Sequence, residues 1–196
     1  MAGLLRPSSG TVALGGVPAA DLAPRELARR IALAPQEDAR DLPLTVGEFV
    51  ALGRTPWLGR LGVAGPADAG AVRAALARFR LAAMSSRLLP TLSGGEHRRA
   101  ILARACAQGA PILLLDEPTA HLDPAQATAV WRDLARMAQA GMTVVAATHD
   151  LGHVRRTADR AWLLAGGRLA AAGAPRAVFA SRAARRAFGA AVRTGR

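Results

Sequence analysis

The chain has 196 residues, 51% of them hydrophobic, and a net charge of +12. That length buries a real core within one domain, and the apolar fraction excludes a disordered chain. The single Cys106 excludes an internal disulfide and fits a reducing cytoplasm.

The start, Met1 to Gly10 (MAGLLRPSSG), lacks the long apolar run and cleavage site of a signal peptide. Thr11 to Leu14 predicts a short strand closed by Gly15-Gly16, and much of the apolar content is Ala, which predicts a core of Ala-rich helices. Pro24 to Arg29 reads as a helix and Ile31 to Ala34 as a strand ending at Pro35-Gln36. A polar loop follows, Glu37 to Leu44. Thr45 and Glu48 form a capping box, so a helix runs from there to about Leu52. Arg54 to Pro66 is rich in Gly and Pro and reads as loop. Asp68 to Leu81 is an amphipathic helix, with Val72, Leu76, Phe79 and Ala83 at helical spacing.

After Pro90 strands and helices alternate. Helix Gly95 to Gln108 precedes strand Ile112 to Leu115. Asp123 caps a helix from Pro124 to Ala138, which stops at Gly141. Strand Thr143 to Thr148 leads to a helix from Asp150. Ala161 to Ala165 and Arg168 to Ala171 form a hairpin turning at Gly166-Gly167. Pro175 to Val192 is helical. From His153 to Arg196 ten arginines face one acid, Asp159, which is +9 of the +12. Such an end either touches anionic lipid or nucleic acid or is a solvated face, and an Arg-rich chain without lysine favours the solvated face.

This alternation predicts an α/β fold with a largely parallel sheet. Residues 42–90 carry no strand signal. They read as a helical subdomain inserted into an α/β core formed by residues 1–41 and 91–196, the whole chain being a single domain.

Two local patterns carry chemistry. Ile112 to Leu115, then Asp116 and Glu117, put two carboxylates at the carboxyl end of a buried parallel strand, where open α/β sheets bind ligands. Asp116 is placed to hold Mg²⁺, a hard cation that prefers oxygen. Glu117 is placed to polarise an attacking water. By itself, a strand ending in two acids is as often a strand meeting solvent. Leu92 to Glu96 (LSGGE) joins a capping box, Ser93 with Glu96, to two glycines at a helix start. Free N–H groups and the helix dipole make an anion site there. By itself it is an ordinary helix start.

Taken together, the patterns form one ordered set. LSGGE-HRR at 92–99, ILLLDE at 112–117, His121-Leu122-Asp123, His149 after a strand, and Gln36 after IALAP resemble the ABC-type ATPase family. They match its signature, Walker B, D-loop, switch histidine and Q-loop in order. The resemblance implies an ABC-type P-loop NTPase sheet. It implies that Gln36 touches Mg²⁺ and the attacking water and senses a transmembrane partner. Ser93, Gly94, Gly95 and Glu96 would contact ATP bound by the opposite subunit. Glu117 would be the general base, His149 would hold the γ-phosphate, and Asp123 would lie at the dimer interface. His97, His121 and His153 are left as structural or solvent-facing residues.

A finer resemblance covers Thr45 to Leu61 (TVGEFVALGRTPWLGRL), which looks like the ATPases of iron-siderophore, haem and cobalamin importers. It implies import driven by ATP hydrolysis at the cytoplasmic face of the inner membrane. The implied partners are transmembrane permease subunits, a second ATP-binding subunit and a substrate-binding protein, with no specific nucleic acid. Trp57 belongs either to the permease interface or to the subdomain core.

One expected part is missing. The sequence contains no G-x-x-x-x-G-K-[ST] and no lysine at all. Met1 to Gly16 resembles the segment just after that phosphate-binding loop, so the loop and the first strands are expected upstream of Met1. The alternatives are a relic, or a half-site subunit that lends Ser93 to Glu96 to a complete partner. A non-transport ABC ATPase of DNA repair or translation is the rival within the family. The stretch between Gln36 and Ser93 lacks the heptads of a repair coiled coil, and the chain has one such domain rather than two.

Overall fold

The computed structural model describes residues 7–36, 40–59 and 61–189. Met1 to Leu5, Glu37 to Ala39, Arg60 and the end through Val192, Arg193 and Arg196 lie outside the described residues. The chain forms two compact units, residues 1–147 and 148–196.

In the first unit, β1 (Ala13–Leu14) and β2 (Val17–Pro18) pair antiparallel around Gly15 and Gly16. Both glycines have positive φ, 57° and 82°. Only the first of these strands is legible in the sequence, because β2 is two residues long and ends on proline. Next come α1 (Pro24–Arg30), β3 (Ile31–Ala34) and α2 (Val46–Ala51). The capping box of α2 is formed: Thr45 N–H donates to the Glu48 carboxylate at 2.8 Å, and Glu48 N–H to Thr45 Oγ1 at 3.2 Å. The remaining elements of this unit are α3 (Pro66–Arg78), α4 (Gly94–Ala107), β4 (Ile112–Asp116), α5 (Pro124–Gln139) and β5 (Thr143–Ala147).

Strands β3, β4 and β5 form a parallel sheet in that order. Its register pairs Ala34 with Leu115 and Asp116 with Ala147, so the three carboxyl ends finish level. The core of α4 is buried nearly all round, from Ala100 through Ala105, as expected of a helix enclosed by neighbours. In contrast, α5 buries one stripe, Ala127, Val130, Trp131, Leu134 and Met137.

The amphipathic helix differs from its sequence bounds. It starts at Pro66 and ends at Arg78, not Leu81. Arg80 then takes a left-handed φ of 57°, and Leu81 N–H returns to the Leu76 carbonyl at 2.8 Å. This reversal buries Leu81 and leaves Ala83 exposed, although Ala83 falls on the helical period.

The stretch from Arg54 also differs from the expected loop. Leu52–Trp57 is a 3₁₀ segment that contains Pro56. It passes so close to α4 that a Cβ on Gly53 would stand 2.2 Å from the Arg104 carbonyl oxygen. Arg54 donates to the carbonyls of Ala107 at 2.9 Å and Gln108 at 3.1 Å, and pairs with Asp68 at 2.9 Å. Trp57 Nε1 donates to the Gln108 carbonyl at 2.6 Å. The guanidinium groups of Arg29 and Arg54 both lie over its ring, 5.0 and 5.3 Å from the centroid. Trp57 therefore clamps α1 to the end of α4 while staying 39% exposed. Gly53→Ala is expected to lower stability by about 1–3 kcal/mol, because backbone must move. A urea midpoint equal to that of the parent would refute the close approach.

The second unit holds α6 (Leu151–Thr157), the hairpin β6 (Ala161–Ala165) and β7 (Arg168–Gly173), α7 (Pro175–Ala180) and α8 (Arg182–Phe188). Leu163, Val178, Phe179 and Ala184 form its core. The single terminal helix expected from Pro175 is broken at Ser181. That residue is extended (φ −66°, ψ 154°), and its hydroxyl caps α8 by accepting from Ala184 N–H at 3.1 Å. No helix among the described residues is long and apolar enough to cross a membrane.

Candidate functional site

The site grows from the level carboxyl ends of β3, β4 and β5. Strand β4 is buried at Leu113, Leu114 and Leu115, and the chain emerges into solvent at Asp116. Glu117 follows in the left-handed region, at φ 45°. Its N–H donates to the Ala147 carbonyl at 2.9 Å, which extends the ladder to β5 by one residue. A non-glycine residue held at positive φ stores strain, and here the acid at the sheet edge carries it. The chain then turns through Ala120, whose N–H donates to the Glu117 carbonyl at 3.1 Å. His121 is also left-handed, at φ 63°. Asp123 caps α5 by accepting the Gln126 N–H at 2.9 Å.

The signature segment lies against this turn. Ser93 N–H donates to Glu96 Oε2 at 2.7 Å, and Glu96 N–H to Ser93 Oγ at 3.3 Å. A Cβ on Gly94 would stand 3.8 Å from that of His121. On Gly95 it would stand 3.2 Å from Gln126 Oε1 and 3.3 Å from Leu122 Cδ2. Gly95 thus lets the first turn of α4 rest on the Asp123 turn, while Ser93 and Gly94 stay exposed. The exposed N-terminus of this 14-residue helix is suited to an anion.

The Ser93 N–H is the main reason the Glu96 carboxyl titrates below its usual 4.5; partial burial opposes it, and the Ser93 hydroxyl, Arg87 and Arg99 add to it. A depressed folded-state pKa stabilises the fold above the unfolded value and is lost as pH falls through the lower folded value. Hydrogen-exchange protection of Ser93 N–H is therefore expected to be kept at pH 4.5 and to drop as pH falls through the depressed folded value of Glu96. Protection that persists well below that value would show that the carboxylate does not hold the cap.

The structure adds a residue that the sequence does not single out. Arg98, 2% exposed, reaches the carbonyls of Pro35, Gln36, Asp116 and Pro118. The bond to Gln36 is 3.0 Å and that to Pro118 is 3.3 Å. One guanidinium therefore joins the exit of β3, the exit of β4 and helix α4. Burial pulls its pKa down, and the nearby charges of Asp116 and Glu117 oppose that. In sequence it is one of two adjacent arginines, and only the fold distinguishes it from Arg99.

Gln36, Asp116, Glu117, Ser93 to Glu96 and Asp123 all lie in the first unit. His149 belongs to the second. There Asp150 caps α6 by accepting from His153 N–H at 3.0 Å, and its other oxygen meets His153 Nδ1 at 2.5 Å. His97 is buried and stacks on Phe49, with ring centroids 6.3 Å apart.

Comparison with known proteins identifies the family. Residues 1–120 match the family described as ABC transporter. A hemin import ATP-binding protein of Nocardia farcinica is 44% identical over 91% of this chain and 62% of its own length. A cobalamin import ATP-binding protein of Halobacterium salinarum is 42% identical over 100% of the chain and 49% of its own length. The chain thus spans roughly half to three-fifths of these curated relatives. Among solved structures, the ATP-binding cassette MJ0796, captured as a dimer with ADP and Pi, superposes with a TM-score of 0.75 at 27% identity, covering 89% of this chain and 77% of that one. The protein cbiO1 of Clostridium perfringens, part of the transporter complex cbiONQ, gives 0.75 at 27% identity over 95% and 74%. Motif order, sheet-edge geometry and these likenesses converge: the chain belongs to the ABC transporter family.

Proposed function

We propose that this chain is part of the ATP-binding and hydrolysing subunit that powers an importer of haem, cobalamin or iron-siderophore, its residues supplying the water-activating strand end of one ATP site and the signature segment of the site on the opposite subunit. The observation that carries the reading is the strained Glu117 at the end of β4, with Asp116 beside it and Arg98 tying Gln36 to the same strand end. Glu117 is the general base toward water, and Asp123 and the N-terminus of α4 face a second ATP-binding subunit. The family resemblance assigns His149 to the γ-phosphate. The names of the relatives support haem or cobalamin as cargo. Permease subunits, a substrate-binding protein and the cytoplasmic face of the membrane follow from the same reading.

The oxygen donors present fit Mg²⁺. Asp116 and Gln36 are both exposed beside the strand end, and Mg²⁺ favours one or two carboxylates plus substrate phosphates. Bound there, the ion would neutralise charge on the phosphates. Because the sequence contains no lysine, the loop lysine that meets the phosphates comes from polypeptide outside these residues.

The 196-residue chain alone is therefore expected to release no phosphate from ATP above background. Joined to the polypeptide that carries the phosphate loop and assembled with permease subunits in proteoliposomes, it is expected to support ATP-driven uptake of haem or cobalamin. Turnover by the 196 residues alone would overturn the need for that loop. Retention of the chain by ribosomes or DNA, with no uptake, would favour the non-transport reading.

A further inference from the structure

The molecule carries a second concave site in the first unit, away from the sheet edge. A pocket of about 180 Å³ is lined by Arg78 and Arg80 after α3, Arg99 on α4, and Gln126 and Asp133 on α5, over an apolar floor of Phe79 and Val130. The lining holds three arginines and one aspartate, a surplus of two positive charges. Asp133 is also drawn to Arg136 outside the pocket, at 3.3 Å.

Two independent features point to a ligand. Arg99 Nε is buried with no hydrogen-bond partner among the described residues, although its Nη1 donates to Gln126 Oε1. A buried donor without an acceptor is costly and calls for an explanation. Arg80 is held at φ 57°, where glycine would sit without strain. A strained backbone that keeps a cation at a pocket rim is the kind of outlier from which function is inferred.

We propose that this pocket binds a phosphate group as the dianion. Guanidinium forks match phosphate oxygens, and a dianion balances the surplus charge where a single carboxylate would not. The site has a route to the signature segment. Gln126, which receives Arg99, is the residue whose oxygen lies 3.2 Å from the Cβ position of Gly95. An occupant that engages Arg99 would thereby change how the first turn of α4 rests on the Asp123 turn. This inference does not depend on ATP hydrolysis or on the identity of the cargo.

The test is titration of inorganic phosphate into the 196-residue chain, followed by calorimetry and by ³¹P line width at fixed ionic strength. The expected result is one saturable phosphate per chain. Arg80→Gly suits the backbone there, so it should melt no lower than the parent yet bind phosphate at least about tenfold more weakly. Arg78→Gln should weaken binding in the same direction, and its unfolding midpoint shows whether the fold is kept. A second arm offers vesicles of phosphatidylcholine with and without phosphatidate. Capture by phosphatidate that Arg80→Gly abolishes, without binding of free phosphate, keeps the site and makes a lipid headgroup the source. Phosphate binding by Arg80→Gly equal to the parent, or no binding of either probe, overturns the proposal.

Discussion

Arg98→Ala is expected to cost about 2–4 kcal/mol, a large share of a marginal domain's stability. The side chain is 2% exposed and serves the carbonyls of Pro35, Gln36, Asp116 and Pro118. Truncation removes the donor from all four carbonyls; the buried Pro118 carbonyl bears the largest cost, at about 1–3 kcal/mol for a group left unsatisfied. Arg98→Lys should rescue little. An ammonium has three donors on a point and cannot span the two strand exits with a planar fork. Urea unfolding of the chain gives the first number. If Arg98→Lys folds, hydrogen exchange at Gln36 and Glu117 separates positioning from bulk stability: both amides should lose protection more than those of α5. Stability of Arg98→Ala within about 1 kcal/mol of the parent would refute the clamp.

Glu117 should separate activity from stability. In the assembled transporter, Glu117→Gln is expected to lower ATP turnover about 10²–10⁴-fold, the usual contribution of a positioned base. The fold should be kept, because the backbone N–H to Ala147 is retained and glutamine keeps the size and shape of the side chain. A further comparison tests the strain. Glu117→Ala keeps a Cβ at φ 45°, whereas Glu117→Gly removes it. Both variants lose the carboxylate, so their difference isolates the backbone. The Gly variant is expected to be more stable than the Ala variant by about 1 kcal/mol, while both are inactive. Thermal unfolding measures the first expectation and phosphate release the second. An Ala variant as stable as the Gly variant would mean that the turn stores no strain.

Much of the site was legible because its residues mark element ends. Capping chemistry is local, so Thr45 with Glu48 and Ser93 with Glu96 announce their helices within four residues. An apolar run that ends in Asp116 and Glu117 announces a buried strand and its exit. Ala83 was misplaced because a helical period continues on paper past the point where Arg80 reverses the chain. The break at Ser181 escaped notice for the opposite reason. The sequence around it has helical composition, and the cap becomes decisive only once Val178 and Phe179 turn into the core of the second unit. The Arg54 to Trp57 stretch looked like loop because it contains Pro and Gly, yet contacts with Ala107 and Gln108, 51 to 54 residues away, hold it as a turn.

The sequence by itself determined the parallel α/β class, the order of the motifs, the carboxylates at the end of β4 and the cap at the start of α4. Each of these follows from periodicity, from apolar runs or from side chains that bond within one turn. Only the tertiary structure decided which of two adjacent arginines is buried across the strand exits, and that Glu117 is held at positive φ. It also showed that Gly53 lets backbone pass close, that Gly95 makes room for the Gln126 and Leu122 side chains, and that Arg78, Arg80 and Arg99 share one pocket. The physical reason is sequence distance. A guanidinium that serves carbonyls 18 and 63 residues away leaves no local pattern, because its partners are backbone atoms that every residue has.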